Sequence, residues 1–305
     1  VLWNFVDSEK INFMGVSAKY IDALSKENIN VIGKYKLKNL ETIGSTGSPL
    51  IHESFDYIYT NVKKDVSVAS LSGGTDIVGC FIGGNPLSVV RRGEIQGPIL
   101  GMDVHVYDEN ANSLKNEKGE LVCIKSFPSM PLFFWNDNNN EKYHDAYFNK
   151  YENVWCHGDY ILKTENDGFI IFGRSDATLN PGGVRIGTAE IYRQVEQIEE
   201  VLEGLVVGQI WKGDTRVVLF VRLNENSNLT EELIDQIKAK IRTGASPRHV
   251  PAKIISVKDI PRTKSGKIAE LAVRDLIHNK PINNITALAN PECLEEYKNI
   301  KELSA

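Results

Sequence analysis

Short apolar runs alternate with helix-like stretches near the start of the chain, and this alternation strongly constrains the fold. Strand-like runs at 11–16, 40–43 and 66–71 are separated by helical patterns at 19–27 and after Pro49. Strands that alternate with helices in this way are typical of a parallel sheet covered by helices. Because such sheets bind ligands where their strands end, the turns after these runs are candidate binding sites.

Two glycine-rich turns follow the second and third strand-like runs. The first is 44–49 (GSTGSP) and the second is 72–76 (SGGTD). In the second turn, the hydroxyl of Thr75 and the carboxylate of Asp76 are groups that could hold a phosphate oxygen and a magnesium ion, respectively. Glycine is equally expected in any tight turn, so neither motif identifies a site by itself.

The pattern changes twice along the rest of the chain. Short β-like segments rich in Gly, Pro and Asn between 79 and 172 predict a small antiparallel β-barrel or sandwich. Further on, Thr188 and Thr230 are predicted N-caps of two helices, and strands flank the second. The predicted divisions are a large α/β domain remnant at 1–175, with its α/β layer at about 1–80 and its β-barrel at about 81–175, and a small mobile α+β domain at 176–305.

Composition argues against several classes of protein. The chain has 42% apolar and 25% charged residues and a net charge of -5, with scattered basic residues, which disfavours nucleic-acid binding. Apolar runs such as 131–135 are far shorter than the roughly 20 residues that span a bilayer, so no membrane partner is expected. The four cysteines lie far apart without metal-ligand spacing, which predicts reduced thiols in a cytoplasmic protein.

Three side chains carry the chemistry that the sequence suggests. Asp159, in the run 155–159 (WCHGD), could accept hydrogen bonds from both hydroxyls of a ribose. Arg174 follows a strand-like run and could hold a ribose or phosphate oxygen. Lys267, on the polar turn 263–267 (TKSGK), could place its ammonium on a carboxylate and a phosphate together. Each motif alone is usually an ordinary turn, but the ordered set favours adenylate chemistry.

The ordered set also resembles a known superfamily. In order and spacing it is similar to the adenylate-forming acyl-CoA synthetases, luciferases and peptide-synthetase adenylation domains, over essentially the whole chain. Further runs resemble the acetoacetate:CoA ligases within that superfamily. The superfamily motifs are Thr75-Asp76, Asp159, 173–176 (GRSD), 183–186 (GVRI) and 261–267 (PRTKSGK), and the runs typical of the ligases are 45–50 (STGSPL), 72–77 (SGGTDI), 173–181 (GRSDATLNP) and 290–292 (NPE).

This resemblance implies an enzyme with two half-reactions and small-molecule partners. Acetoacetate and ATP, with Mg²⁺, would give acetoacetyl-AMP and pyrophosphate, and coenzyme A would then displace AMP to give acetoacetyl-CoA. The roles implied are Gly47, Ser48 and Pro49 at the adenine, Thr75 at the α-phosphate, Asp76 at the magnesium, Asp159 and Arg174 at the ribose or phosphate, Asp176 at the hinge between domains, Lys267 as the adenylation lysine, and Gly182, Gly183 and Arg185 on the CoA-facing surface.

Three features depart from or refine that pattern. The superfamily usually has Thr-Glu where this chain has Thr75-Asp76, so contact with the metal could run through water. Acetyl-CoA synthetases have a bulky Trp where this chain has Gly73, next to Gly74, so the resemblance implies an acyl pocket with room for a four-carbon acid. The phosphate loop of the superfamily lies upstream and is not in this sequence, so this chain alone is not expected to form the adenylate.

Two alternatives remain open at this stage. One is a CoA ligase for another short-chain or branched acid, since the donor for the 3-keto oxygen has no sequence signature. The other is a nucleotide-binding fragment without catalysis. The oligomeric state has no sequence signature either.

Overall fold

A computed structural model describes residues 1–282 and 285–304 of the chain. The chain divides into two compact units, Val1–Ile171 and Phe172–Ala305. No helix within the described residues is long and apolar enough to cross a membrane. The sequence predicted a boundary after residue 175, between the large domain and a mobile small domain. That boundary stays a prediction.

The first unit begins with a three-stranded parallel sheet, as the alternating pattern predicts. Its strands have the order β1-β2-β3, and Ile43 of the central strand pairs with Met14 on one side and Val68 on the other. Helices pack on the sheet through buried side chains such as Trp3 and Phe55. The elements of this layer are α1 (Leu2–Ser8), β1 (Phe13–Ser17), α2 (Ala18–Lys26), β2 (Thr42–Thr46), α3 (His52–Tyr57) and β3 (Ser67–Ser70).

Two small open sheets follow in place of the predicted barrel. Their strand orders are β4-β5-β6 and β10-β9-β8-β7, and they share one apolar cluster that includes Phe81 and Trp155. The predicted closure over about 81–175 is wrong, because β6 has only two residues and β7 and β10 are opposite edges of their sheet. The elements are β4 (Ser72–Gly74), β5 (Gly79–Gly83), β6 (Gly97–Pro98), β7 (Val104–Tyr107), β8 (Lys118–Cys123), α4 (Glu141–Tyr147), β9 (Trp155–Lys163) and β10 (Phe169–Arg174).

The second unit has a three-stranded sheet covered on both faces. Its order is β11-β12-β13, with β12 antiparallel to β11 and parallel to β13. Side chains alternate along β12, so Leu219 joins the core cluster of one face and Phe220 that of the other. The elements are α5 (Thr188–Val195), β11 (Val201–Trp211), β12 (Asp214–Leu223), α6 (Glu231–Gly244), β13 (Lys253–Ser256) and α7 (Glu270–Ile277).

The two predicted helix caps of this unit have different outcomes. Thr230 caps α6 as predicted, and its hydroxyl accepts a hydrogen bond from the Leu233 amide at 3.3 Å. Thr188 is instead the first residue of α5, and Gly187 is the cap. The Gly187 amide donates to the Glu190 carboxylate at 2.9 Å, so a side chain within the helix satisfies the end that Thr188 was expected to cap.

Candidate functional site

The two glycine-rich runs of the first unit follow two adjacent strands of the parallel sheet. β2 and β3 are adjacent and parallel, so the segment after each leaves the sheet at the carboxyl end of its strand. The second segment is not a turn from residue 72 as predicted, because it continues as β4, and the turn that contains Thr75 and Asp76 lies between β4 and β5. The Leu71 amide donates to the Ser45 carbonyl at 2.8 Å, which continues the pairing past the end of β3. This edge therefore carries Gly47, Ser48 and Pro49 after β2, and the short strand β4 that leads to Thr75 after β3.

Asp76 is exposed at this edge, and an aromatic residue orients its carboxylate. The Tyr147 hydroxyl donates a short hydrogen bond to Asp76 Oδ2. The Tyr147 ring stacks on the buried Trp155 ring, with 3.6 Å between centroids and 13° between planes. Because stacking limits the rotation of the Tyr147 ring, the hydroxyl holds the carboxylate from a rigid support.

Asp159 lies in β9 and is 8% exposed. Its Oδ2 is 4.0 Å from Nε2 of His157, which is also buried. His157 in turn touches the Asp76 turn, because a Cβ added to Gly74 would lie 2.8 Å from His157 Cε1 and 2.0 Å from Asp76 Oδ1. The fold thus brings the Thr75-Asp76 turn and the Asp159 strand into contact around Gly74.

The environment of Gly73 bears on the predicted acyl pocket. A Cβ at Gly73 would lie 2.1 Å from the Gly79 carbonyl oxygen and 2.4 Å from Cys80 Cα, both in the backbone of β5. Glycine is therefore required here because the two strands approach closely. A large side chain at this position would displace β5, so a Gly73→Trp variant would not isolate an effect on pocket size. The assignment of Gly73 and Gly74 to the acyl pocket stays a prediction.

The residues of the first unit fit a magnesium ion that arrives with a nucleotide. Mg²⁺ keeps several waters and commonly takes one or two carboxylates plus substrate phosphates as ligands. Asp76 supplies one exposed, oriented carboxylate of this kind. Within residues 1–282 and 285–304 there is no group of three or more His, Cys, Asp or Glu side chains that could form a protein-only metal cage.

Lys267 is exposed on a hydrogen-bonded turn of the second unit. The Thr263 amide donates to the Lys267 carbonyl at 2.8 Å, and the Lys267 amide donates to the Thr263 hydroxyl at 3.1 Å. The Gly266 amide also donates to the Thr263 carbonyl at 2.8 Å. The backbone at Lys267 is thus fixed on both sides while its ammonium is free to reach solvent or a ligand.

Asp176, the predicted hinge residue, makes one contact through its side chain and one through its backbone carbonyl. Asp176 Oδ1 is 3.5 Å from Arg174 Nε, and both side chains are about half exposed. The Asp176 carbonyl accepts a hydrogen bond from Arg274 Nη1 at 2.6 Å, which ties this segment to α7. Arg274 also lines a pocket of about 250 Å³ within the second unit. The carbonyl of Asp176 belongs to the peptide plane that leads to residue 177, so rotation about the φ and ψ bonds of Asp176 would carry this carbonyl along with α7 and keep the Arg274 contact.

The loop that contains Gly182, Gly183 and Arg185 protrudes from a paired base. Leu179 and Ile186 form a reciprocal pair of backbone hydrogen bonds of 2.9 Å, and the residues between them form the loop. Both glycines have positive φ, at 58° and 77°, and both glycines and Arg185 are exposed. Such a loop can approach a ligand closely through its backbone.

A largely buried acid lies at the start of α7, shortly after Lys267. The Tyr192 hydroxyl donates to Glu270 Oε1 at 2.7 Å. Burial raises the pKa of the Glu270 carboxyl above its ordinary 4.5, while hydrogen bonds from Tyr192 and Thr188 oppose that rise. Burial likewise raises the pKa of Tyr192 well above its ordinary value. This pair was not among the residues expected from the sequence.

The sequence-predicted residues thus fall into two groups. The first unit brings the Asp76 turn close to the Asp159 strand and carries residues 47–49 after β2. The second unit carries Lys267, the hinge segment and the glycine loop. Sequence reasoning missed Tyr147, because nothing in the aromatic-rich run 143–151 (YHDAYFNKY) signals which ring has a distant hydrogen-bond partner. It also assigned no role to His157, although this ring lies against Gly74, beside the Asp76 turn.

Comparison with known proteins shows what the chain is similar to. The AMP-binding enzyme C-terminal domain matches residues 190–267. An acetoacetyl-coenzyme A synthetase of Rhizobium meliloti (strain 1021) is 57% identical over 305 residues, which is 100% of this chain and 47% of that protein. Along its whole length, this chain is therefore similar to acetoacetyl-CoA synthetases. The Xenopus tropicalis acetoacetyl-CoA synthetase is 45% identical over 99% of this chain and 45% of its own length.

Solved structures show the same similarity. Acetoacetyl-CoA synthetase from Streptomyces lividans has a TM-score of 0.91 and 37% identity, covering 99% of this chain and 47% of that one. The anthranilate CoA ligase AuaEII shares the fold at a TM-score of 0.73 and 20% identity, over 90% of this chain and 51% of its own. The chain spans about half the length of the acetoacetyl-CoA synthetases that it matches.

Proposed function

We propose that this chain supplies the nucleotide-binding sheet edge and the lysine-bearing small domain of an AMP-forming acetoacetate:CoA ligase. The observation that carries the proposal is the 57% identity with an acetoacetyl-coenzyme A synthetase along the whole chain. The geometry supports it, because the Asp76 turn and the Asp159 strand meet at a sheet edge suited to a nucleotide.

In the first half-reaction, a carboxylate oxygen of acetoacetate attacks the α-phosphorus of ATP. A new C–O–P linkage forms, the bond to the β-phosphate breaks, and pyrophosphate leaves with the electron pair. Asp159 would accept hydrogen bonds from the ribose hydroxyls, with Gly47, Ser48 and Pro49 beside the adenine. The ammonium of Lys267 would stabilise the negative charge that builds on the oxygens around phosphorus.

The phosphate groups have their own proposed partners. The Thr75 hydroxyl would donate to an α-phosphate oxygen, and Arg174 would hold a ribose or phosphate oxygen with its planar fork of donors. Asp76, oriented by Tyr147, would hold a magnesium ion directly or through water. When bound, that ion neutralises phosphate charge.

In the second half-reaction, the sulfur of coenzyme A attacks the acyl carbon of acetoacetyl-AMP. The C–S bond forms, the C–O bond to AMP breaks, and the thiol proton passes to solvent. We propose that a change of backbone angles at Asp176 exchanges Lys267 for the glycine loop at the reacting centre, so that Gly182, Gly183 and Arg185 face coenzyme A.

A cytoplasmic location is part of the same proposal. ATP and coenzyme A are intracellular substrates, and the cysteines are free thiols, of which Cys80 is half-buried and Cys123, Cys156 and Cys293 are buried. Burial raises the pKa of Cys293 to about 11, so this thiol stays protonated and unreactive near neutral pH.

The test is exchange of labelled pyrophosphate into ATP, measured on the intact protein with acetoacetate or butyrate as the acid. We expect exchange that depends on acetoacetate, with AMP as the nucleotide product once coenzyme A is added. Better exchange with butyrate would contradict acetoacetate as the substrate. Binding of AMP without exchange for any acid would contradict catalysis itself.

A further inference from the structure

The turn that carries Lys267 is supported from outside by a guanidinium. Arg262 Nη1 donates to the Gly266 carbonyl at 3.0 Å, one residue before Lys267. Nη2 of the same side chain forms an ion pair with Glu203 Oε1. The Arg262 and Glu203 side chains are only 23% and 16% exposed. The Arg262 guanidinium therefore joins the turn that carries Lys267 to the Glu203 carboxylate on β11.

The position of Glu203 depends on a bulge in β11. Val201 pairs with Leu223 and Glu203 pairs with Arg222, so Leu202 is an extra residue in the ladder. A bulge of this kind redirects the side chain that follows it. Glu203 Oε2 consequently lies 3.7 Å from Arg222 Nη1, and its other oxygen pairs with Arg262.

A largely buried ion pair is poor evidence for stabilisation, because the cost of removing two charges from water offsets much of their attraction. The contact between Arg262 and the Gly266 carbonyl gives this pair a geometric role. The guanidinium can hold that carbonyl only while a partner fixes its own plane. Glu203 is that partner, and a lysine in place of Arg262 could not bridge both groups with the same geometry.

We propose that Glu203 and Arg262 are positioning residues for Lys267 in the adenylation half-reaction. Glu203 orients the Arg262 guanidinium, which fixes the Gly266 carbonyl and hence the point from which the Lys267 side chain extends. Displacements of about 1 Å in a catalytic group can slow a reaction by as much as 100-fold, so a fixed origin matters even for a flexible side chain. This inference rests on the proposed function of Lys267.

The test measures the two half-reactions separately in the intact protein. In Glu203→Gln we expect pyrophosphate exchange to fall roughly tenfold, the equivalent of one hydrogen bond to a charged group. Formation of acetoacetyl-CoA from supplied acetoacetyl-AMP should stay within about twofold of the unmodified rate, since Lys267 acts in the other step. A merely structural defect would slow both steps together.

A double-mutant cycle identifies the route of the effect. If Glu203 acts through Arg262, exchange in the double variant Glu203→Gln, Arg262→Met should be no slower than in Arg262→Met alone. Glu295→Gln is the matched control, because it removes a surface ion pair with Lys298 in the same unit and should leave both rates unchanged. Additive losses in the double variant would overturn the proposal.

Failures of the two proposals are distinguishable. If Lys267→Ala leaves exchange intact, the proposed function of the lysine fails. If Lys267→Ala abolishes exchange but Glu203→Gln does not slow it, only the positioning role fails. Should Glu203→Gln not fold, Glu203→Asp retains the charge on a shorter arm and is expected to lose part of the exchange rate with normal thioester formation. Unmodified exchange in a folded Glu203→Asp variant would also overturn the role.

Discussion

Asp159 and Lys267 are held in opposite ways. Asp159 is buried in a nine-residue strand, and its neighbours in β9 pair with β8. Lys267 is exposed on a turn whose backbone is fixed while its ammonium is not. The difference matches the proposed tasks, because a group that recognises a ribose benefits from a fixed position. An ammonium that acts in one half-reaction and is absent from the other must be able to withdraw.

The largest expected effect is that of Lys267→Ala. Removing a cation from the charge that develops at phosphorus should slow pyrophosphate exchange by about 100- to 1,000-fold. Thioester formation from preformed acetoacetyl-AMP should be unchanged. Both rates are measured on the intact protein, and equal loss of the two would mean that Lys267 supports the fold or both steps.

Asp159→Asn tests the buried carboxylate that is proposed to bind the ribose. An amide offers one acceptor oxygen and no charge, so the KM for ATP should rise about tenfold to 100-fold, corresponding to about 1.5–3 kcal/mol. Asp167→Asn is a control in the same unit, because Asp167 is exposed and its ion pairs with Lys115 and Lys163 lie at the surface. A KM for ATP in Asp159→Asn as low as in the control would argue against the ribose contact.

Gly73→Ala tests how rigid the support of the Asp76 turn is. The new Cβ would lie 2.1 Å from the Gly79 carbonyl oxygen, so β4 and β5 must separate. We expect a loss of about 1–3 kcal/mol in the free energy of unfolding, measured by chemical denaturation. Gly97→Ala is the matched control, since a Cβ there meets nothing within 4 Å. Equal stability of the two variants would contradict the close approach.

The smallest effect is a pH dependence in the second unit. The folded state raises the pKa of Glu270 above 4.5, so the folded protein binds this proton more tightly than the unfolded chain does. The Glu270 contribution to stability is therefore present below pH 4.5 and is lost as pH rises through the folded-state pKa. Glu270→Gln does not titrate and keeps an acceptor for the Tyr192 hydroxyl.

The measurement is the free energy of unfolding of both proteins between pH 4.5 and 8. The variant should gain stability relative to the unmodified protein as pH increases, by about 1.4 kcal/mol for each unit by which the pKa is raised. A difference that stays constant or falls with pH would contradict a raised pKa at Glu270.

Local patterns predicted much of the fold. The parallel sheet of β1, β2 and β3, the cap at Thr230 and the strands around α6 all follow from periodicity and end signals within a few residues. Barrel closure over about 81–175 was wrong, because closure depends on which distant edges pair. The cap at Thr188 was wrong because Glu190 satisfies the Gly187 amide instead.

The sequence by itself determined the alternating α/β layer, the α+β unit and the ordered set of motif residues, because each is encoded by neighbours along the chain. Only the tertiary structure decided what those residues touch. Tyr147 and Asp76 are 71 positions apart, and Tyr192 and Glu270 are 78 apart. The Arg262 contacts with Glu203 are also made between distant elements. No local periodicity encodes such pairs, since they form only when packing brings their elements together.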